Sequence, residues 1–210
     1  TYDDDDKEFR IKFDSNIQKQ ANHLLNEIKN SKIFENKMIG CAAIILTGLA
    51  YRNNKVYLDN GLSLLKKIIR TSIDSHWFPK SRNIKQLSFY LKYIILIREW
   101  FKESQNTIPE YLDEAIYHLG INYAFIWQNI QHDILFNGNY ISNNEEFDQY
   151  LKRFNYTFKN ENKEYGGYAI LNNKKISLVM DIGGSPSAKF SSKYQSGALS
   201  IEINSNGKKL

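Results

Sequence analysis

The chain has 210 residues, 42% hydrophobic, 14% aromatic and 24% charged, with a net charge of +5. That is enough apolar content for a buried core in one large domain or two small ones, and the mild positive excess suits an anionic partner without forming the dense basic stripe of a nucleic-acid binder. A single cysteine, Cys41, excludes an intrachain disulfide framework, and the longest apolar run, residues 38–51, is too short for a bilayer span of about 20 residues.

The run YDDDDKE at 2–8 reads as a solvated acidic start, because adjacent carboxylates do not converge on one ion without a shaped loop. From about residue 11 to 131 the apolar positions step by three and four, the helical period. Ile17, Ala21, Leu24, Leu25 and Ile28 form one stripe, and Ile39, Ala43, Leu46 and Ala50 the next. Leu58, Leu62, Leu65 and Ile69 follow, then Ile84, Leu87, Leu91, Ile94 and Ile95 up to Trp100 or Phe101. Pro109 suits the first turn of a further helix carrying Leu112, Ala115, Ile116, Leu119, Tyr123 and Trp127. The connections are short, so neighbouring helices are expected antiparallel, as stacked helical hairpins.

After Phe136 the pattern changes. NGNYISNNEE reads as a linker or loop, and then period two sets in: Ile176, Leu178, Met180 and Ile182 alternate with Ser177, Val179 and Asp181. The segment 166–184 is expected to be two strands around NNKK, and GALSIEINSNGKKL another strand, a turn at Asn206-Gly207 and the start of one more. A strand opening at Lys208 and stopping at Leu210 implies a fragment cut inside a β domain. The fold class expected is α+β with segregated halves, helical over 1–137 and antiparallel β over 138–210.

One candidate loop stands out. DSHWFPKSRN at 74–83 gathers His76, Lys80, Ser81 and Arg82 just before a strong helical pattern, with Lys85 following. DIGGSPS at 181–187 is glycine-rich but precedes no helical pattern, which excludes a phosphate loop, and there is no Cys/His cluster for zinc. No cofactor and no metal are expected. His132 lies in a connection, and His23 and His118 lie on ordinary helices.

Three groups of segments, in the same order along the chain, resemble the heparinase II/III family of polysaccharide lyases. The first is ENKMIGCAAIILTGLAY followed by YLDNGLSLLKKII; the second is IDSHWFPKSRN with LSFYLKYIILIREW, similar to an Arg-Ser-Pro-type loop and a leucine-rich helix. The third is LFNGN at 135–139 and then DIGGSPSAKFSSKYQSGALSIEI, similar to the first strands of the family's β domain. The resemblance implies a helical α/α toroid followed by the start of an antiparallel β-sandwich, with a substrate groove and β-elimination on acidic, uronate-containing polysaccharides. It implies a catalytic set at Asn36, Lys37 and Gln195. Lys37 stands where the family has a histidine after the asparagine, and Gln195 stands before the small-residue segment where the family again has histidine. Ile84 and Lys85 occupy the places of a Tyr-His pair, and His76 falls one place before the family's loop histidine, where Trp77 stands. Lysine, with an ordinary pKa of about 10.4, is a cation and donor, and glutamine orients but does not shuttle a proton. His76, Lys80, Ser81, Arg82, Lys85 and Tyr194 are the implied substrate-binding residues. The expected function is a bacterial lyase of the cytoplasm or periplasm. The alternative is a protein of lyase fold that binds an acidic glycan without cleaving it.

Overall fold

The computed structural model describes residues 4–51, 55–130, 144–173, 175–192, 194, 197, 199–205 and 208–210. The helices are α1 (Asp4–Glu27), α2 (Phe34–Ala50), α3 (Lys55–Ser72), α4 (Ile84–Glu103), α5 (Glu110–Ile130) and α6 (Asn144–Arg153). Strands follow as β1 (Glu164–Tyr165), β2 (Tyr168–Asn172), β3 (Ile176–Asp181), β4 (Ile201–Ser205) and β5 (Lys208–Lys209), in one antiparallel sheet of order β1-β2-β3-β4-β5. The class is α+β, helices first and sheet second. The Asn206-Gly207 turn and the LFNGN segment lie outside the described residues. No helix is long and apolar enough to cross a membrane among the described residues.

The chain divides into two compact units. One comprises residues 1–69 and 96–108, the other residues 70–95 and 109–210.

In the first unit, α1 packs on α2. Helix α2 is apolar nearly all round, so periodicity alone does not select its inner face. Met38, Cys41, Ala42, Ile44, Ile45 and Leu49 are buried, whereas Ile39 and Leu46 of the stripe picked out by spacing are 45% and 42% exposed. Close backbone approach is made possible by glycine. A Cβ at Gly48 would collide with the Leu58 backbone, and the Cys41 thiol reaches the Gly61 carbonyl at 3.2 Å. Burial pushes the Cys41 thiol up to about 12. The helix begins earlier than Asn36, at Phe34, with Ile33 at the N-cap position and no side-chain cap.

In the second unit, α5 packs against β2 and β3. The row of the sheet that is buried carries Tyr168, Ile170, Val179, Asp181, Glu202 and Asn204. Register places Tyr168 opposite Asp181, Ile170 opposite Val179, and Val179 opposite Glu202. The alternation expected for β3 is present, yet its more apolar row is the less buried one, with Ile176 45% exposed against 0% for Val179. Helix α6 occupies part of the stretch expected to be loop. Its short amphipathic face is anchored by Tyr150, whose hydroxyl donates to the Lys92 carbonyl at 2.8 Å, and by Asp148, which accepts from the Tyr123 hydroxyl at 2.7 Å. Burial, and then that hydrogen bond, hold the Tyr123 hydroxyl well above the usual phenol range.

Candidate functional site

The segment between α3 and α4 is a built loop. Ile73 and Pro79 form a bridge, and the Asp74 amide donates to the Phe78 carbonyl at 2.8 Å. The Asp74 side chain accepts from the His76 and Phe78 amides, both at 2.9 Å, in the way short acidic residues stabilise turns. Two bulky residues, Trp77 and Arg82, sit in the left-handed backbone region at φ 63° and 60°. Such conformations cost of order 1–3 kcal/mol each and persist where the surroundings fix them. Here Trp77 stacks on the His118 ring, centroids 4.9 Å apart, and the Asn122 amide donates to the His76 carbonyl at 2.7 Å.

Arg82 is fixed by the sheet. Its Nη1 donates to the Gly166 carbonyl at 2.8 Å and its Nη2 to the Gly167 carbonyl at 2.7 Å. Nη2 also pairs with Asp181, and Nε lies 3.4 Å from the same carboxylate. The guanidinium rests 4.0 Å over the Tyr168 ring, and the Tyr168 hydroxyl donates to the Arg82 carbonyl at 3.0 Å. Burial is the main reason the Tyr168 hydroxyl is held far above the phenol range. Gly166 and Gly167 turn the chain between β1 and β2 with φ of 58° and 79°, which a side chain disfavours, and a Cβ at Gly166 would meet the Phe78 ring.

These contacts frame a cleft of about 440 Å³, within the range of small-molecule sites. Asp74, His76, Lys80 and Arg82 line it from the loop, Gly166 and Gly167 from the turn. Gly183, Gly184, Ser185, Pro186, Ser187 and Phe190 line it from the segment after β3. His76 is exposed, its ring edge-on to Tyr165 at 5.8 Å. Lys80 donates to the Arg70 carbonyl at 3.0 Å. Phe190 ends a 3-10 turn over Ala188–Phe190, with the Lys189 ammonium 5.5 Å from its ring. An aromatic ring, an ammonium, an imidazole and two hydroxyls are the groups a saccharide with an acidic substituent engages.

The structure therefore brings His76, Lys80 and Arg82 to one cleft, but in different states: the Arg82 guanidinium is committed to Asp181 and to backbone carbonyls. Ser81 is turned to the start of α4, donating to the Gln86 side chain at 2.6 Å and accepting the Asn83 amide at 3.2 Å. Lys85 lies 5.7 Å over the Trp127 ring. Asn36, exposed, and Lys37, half-buried, are on α2 in the first unit. The Tyr194 hydroxyl is buried and finds no hydrogen-bond partner among the described residues. Gln195 and His132 lie outside the described residues. No grouping of His, Cys, Asp and Glu fit for a metal occurs among the described residues. Residues that sequence reasoning missed are Asp181, the Gly166-Gly167 turn and Phe190. The only local signal for them was the concentration of glycine on either side of the β2–β3 hairpin.

Residues 160–210 match the family model "Heparinase II/III-like, C-terminal". No curated protein matches the chain. Among solved structures the chain is similar to heparinase III, with a TM-score of 0.69 and 14% identity, over 91% of this chain and 36% of that one. The chain thus spans about a third of the length of that protein, and at this identity the likeness concerns the fold. The matched segment contains the Gly166-Gly167 turn, Asp181 and the whole Gly183–Phe190 side of the cleft. Residues 160–210 are thus similar to the heparinase II/III-like C-terminal family, and the α+β fold of the chain is similar to that of heparinase III.

Proposed function

We propose that the chain is part of a polysaccharide lyase-like protein that engages an acidic, uronate-containing glycan and acts on it by β-elimination. The cleft carries the reading: Lys80 and His76 stand on a rigid loop, opposite Ser185, Ser187 and Phe190, in a fold of the heparinase II/III type. In such an elimination a base removes the proton on the carbon beside the carboxylate. The electron pair forms a carbon–carbon double bond, and the bond from the next carbon to the glycosidic oxygen breaks as an acid protonates that oxygen. The proton is acidic enough only when the carboxylate charge is neutralised, so fixed donors and cations are the main requirement. Asn36, Lys37 and Gln195 are the residues assigned to that chemistry, and His76 and Lys80 to holding the sugar. Arg82 acts behind them, by fixing the loop to the sheet.

A second reading is binding without cleavage. It is favoured by the absence of imidazole at positions 37 and 195, where lysine and glutamine stand. One experiment separates the two. The full chain is incubated with a panel of uronate polysaccharides while the ultraviolet absorbance of the unsaturated product is followed, and binding is measured by calorimetry. Product formation that falls on Lys37→Ala supports the lyase. Binding with no product on any member of the panel leaves the binder, and neither result with any glycan overturns both readings.

A further inference from the structure

Trp77, in the loop before α4, holds a backbone conformation that a bulky side chain disfavours, at φ 63°. Its ring lies flat on the His118 imidazole, centroids 4.9 Å apart and planes within 12°. His118 is half-buried on α5, and Tyr117 meets it edge-on at 5.2 Å. One turn further along α5, the buried Asn122 donates to the His76 carbonyl at 2.7 Å. The His76 amide is held by the Asp74 carboxylate, and its exposed ring stands edge-on to Tyr165 and lines the cleft. The foot of the loop is secured separately. Ile73 bridges Pro79, and the Lys80 amide donates to the Ser72 carbonyl at 2.9 Å. The α5 contacts therefore bear on His76 rather than on Lys80.

Resting on the acidic-glycan reading above, we propose that His118 is a positioning residue, which acts through Trp77 to keep the His76 imidazole in the cleft. The stack offsets the cost of left-handed backbone at Trp77. Without it, Trp77 relaxes to negative φ, the peptide between His76 and Trp77 turns, and the His76 carbonyl leaves Asn122. The imidazole leaves the cleft with it. A contacting side chain is as well placed as the residues packed behind it, and here those residues stand on a long helix rather than on the loop.

The test takes the full chain and its variants through two measurements: affinity for oligoglucuronate by calorimetry, and hydrogen exchange of the His76 and Phe78 amides without sugar. His118→Ala is expected to weaken binding about tenfold, a difference of about 1.4 kcal/mol. It is expected to speed exchange of both amides at least about fivefold, with helix content unchanged by circular dichroism. His118→Phe keeps a flat ring and is expected to bring affinity back to within about threefold of the parent chain. In a His76→Ala background, His118→Ala is expected to change affinity less than about twofold, because the side chain it positions is gone. Additive losses in that background are what a merely structural role gives, and they overturn the proposal. Parental affinity in His118→Ala overturns it too, as does His118→Phe binding no better than His118→Ala. The glycan reading survives all three, since it stands on binding by the parent chain. Absence of parental binding to the whole uronate panel removes the glycan reading instead, and exchange then decides the positioning alone. Faster exchange in His118→Ala sustains it, and unchanged exchange overturns it.

Discussion

Arg82 and Asp181, 99 residues apart in sequence, form a buried ion pair whose side chains are 8% and 0% exposed. The pair ties the loop before α4 to the end of β3. Through the Gly166 and Gly167 carbonyls it takes in the β1–β2 turn as well. Three of the segments that line the cleft are thereby held by one guanidinium.

Removing one member leaves the other charged, buried and unmatched, which costs about 3–5 kcal/mol. Asp181→Ala is therefore expected to lower the unfolding free energy by that order in urea denaturation. Replacing both with apolar residues of similar size, as in Arg82→Met with Asp181→Leu, is expected to recover much of the loss. Equal destabilisation in the single and double variants would show that the backbone contacts of Arg82, rather than the pair, dominate.

Tyr168 supports the same guanidinium from below. Tyr168→Phe keeps the ring at 4.0 Å and removes the hydroxyl that donates to the Arg82 carbonyl at 3.0 Å. The site is fully buried, so the carbonyl loses a partner without gaining water. A loss of about 1–3 kcal/mol is expected, smaller than for Asp181→Ala, and the difference is readable from paired denaturation curves.

Much of the architecture was legible because its signals are local. The period of three and four placed α3, α4 and α5, and the period of two with NNKK placed the β2–β3 hairpin. Faces were harder. In α2 apolar residues surround the axis, so the stripe through Ile39 and Leu46 looked as good as the one through Cys41 and Ile45, and only packing against α1 and α3 residues decided between them. In β3 the polar row, with Asp181, is the buried one because Arg82 is there to receive it. Helix α6 is too short for periodicity to outweigh its asparagine-rich start. The cleft was half legible. The loop at 74–83 announced itself by composition, but nothing local says that Arg82 turns inward to a strand a hundred residues later, and so its expected role as a direct glycan contact had no means of being weighed against a structural one.

Gly120 marks a close approach in the second unit. A Cβ there would enter the Phe158 ring, which is packed against the α5 backbone at that point. Gly120→Ala gains helix propensity, worth about 1 kcal/mol on its own, and must displace an aromatic ring. Overpacking is expected to win, with a net destabilisation of about 1–2 kcal/mol. Gly120→Ala combined with Phe158→Leu is expected to be less destabilised than the sum of the two single changes, which a double-mutant cycle measures directly.

Cys41 gives a pH-dependent stability with a definite sign. Burial against α3, with its S–H donated to the Gly61 carbonyl, raises its pKa from 9.0 to about 12. The unfolded chain releases the thiol proton first. Below pH 9 both states are protonated and the contribution of this group is fully present. Between pH 9 and 12 the unfolded state alone is ionised, and the contribution is lost as pH rises through that window. Cys41→Ala is therefore expected to show a flatter decline of melting temperature from pH 9 upwards than the parent chain, whatever its stability at pH 7. The same protonated burial makes the thiol inert: alkylation by iodoacetamide at pH 8 is expected only at the rate of opening of the first unit. Parallel melting curves for the two proteins above pH 9, or rapid alkylation under native conditions, would count against a buried, protonated thiol.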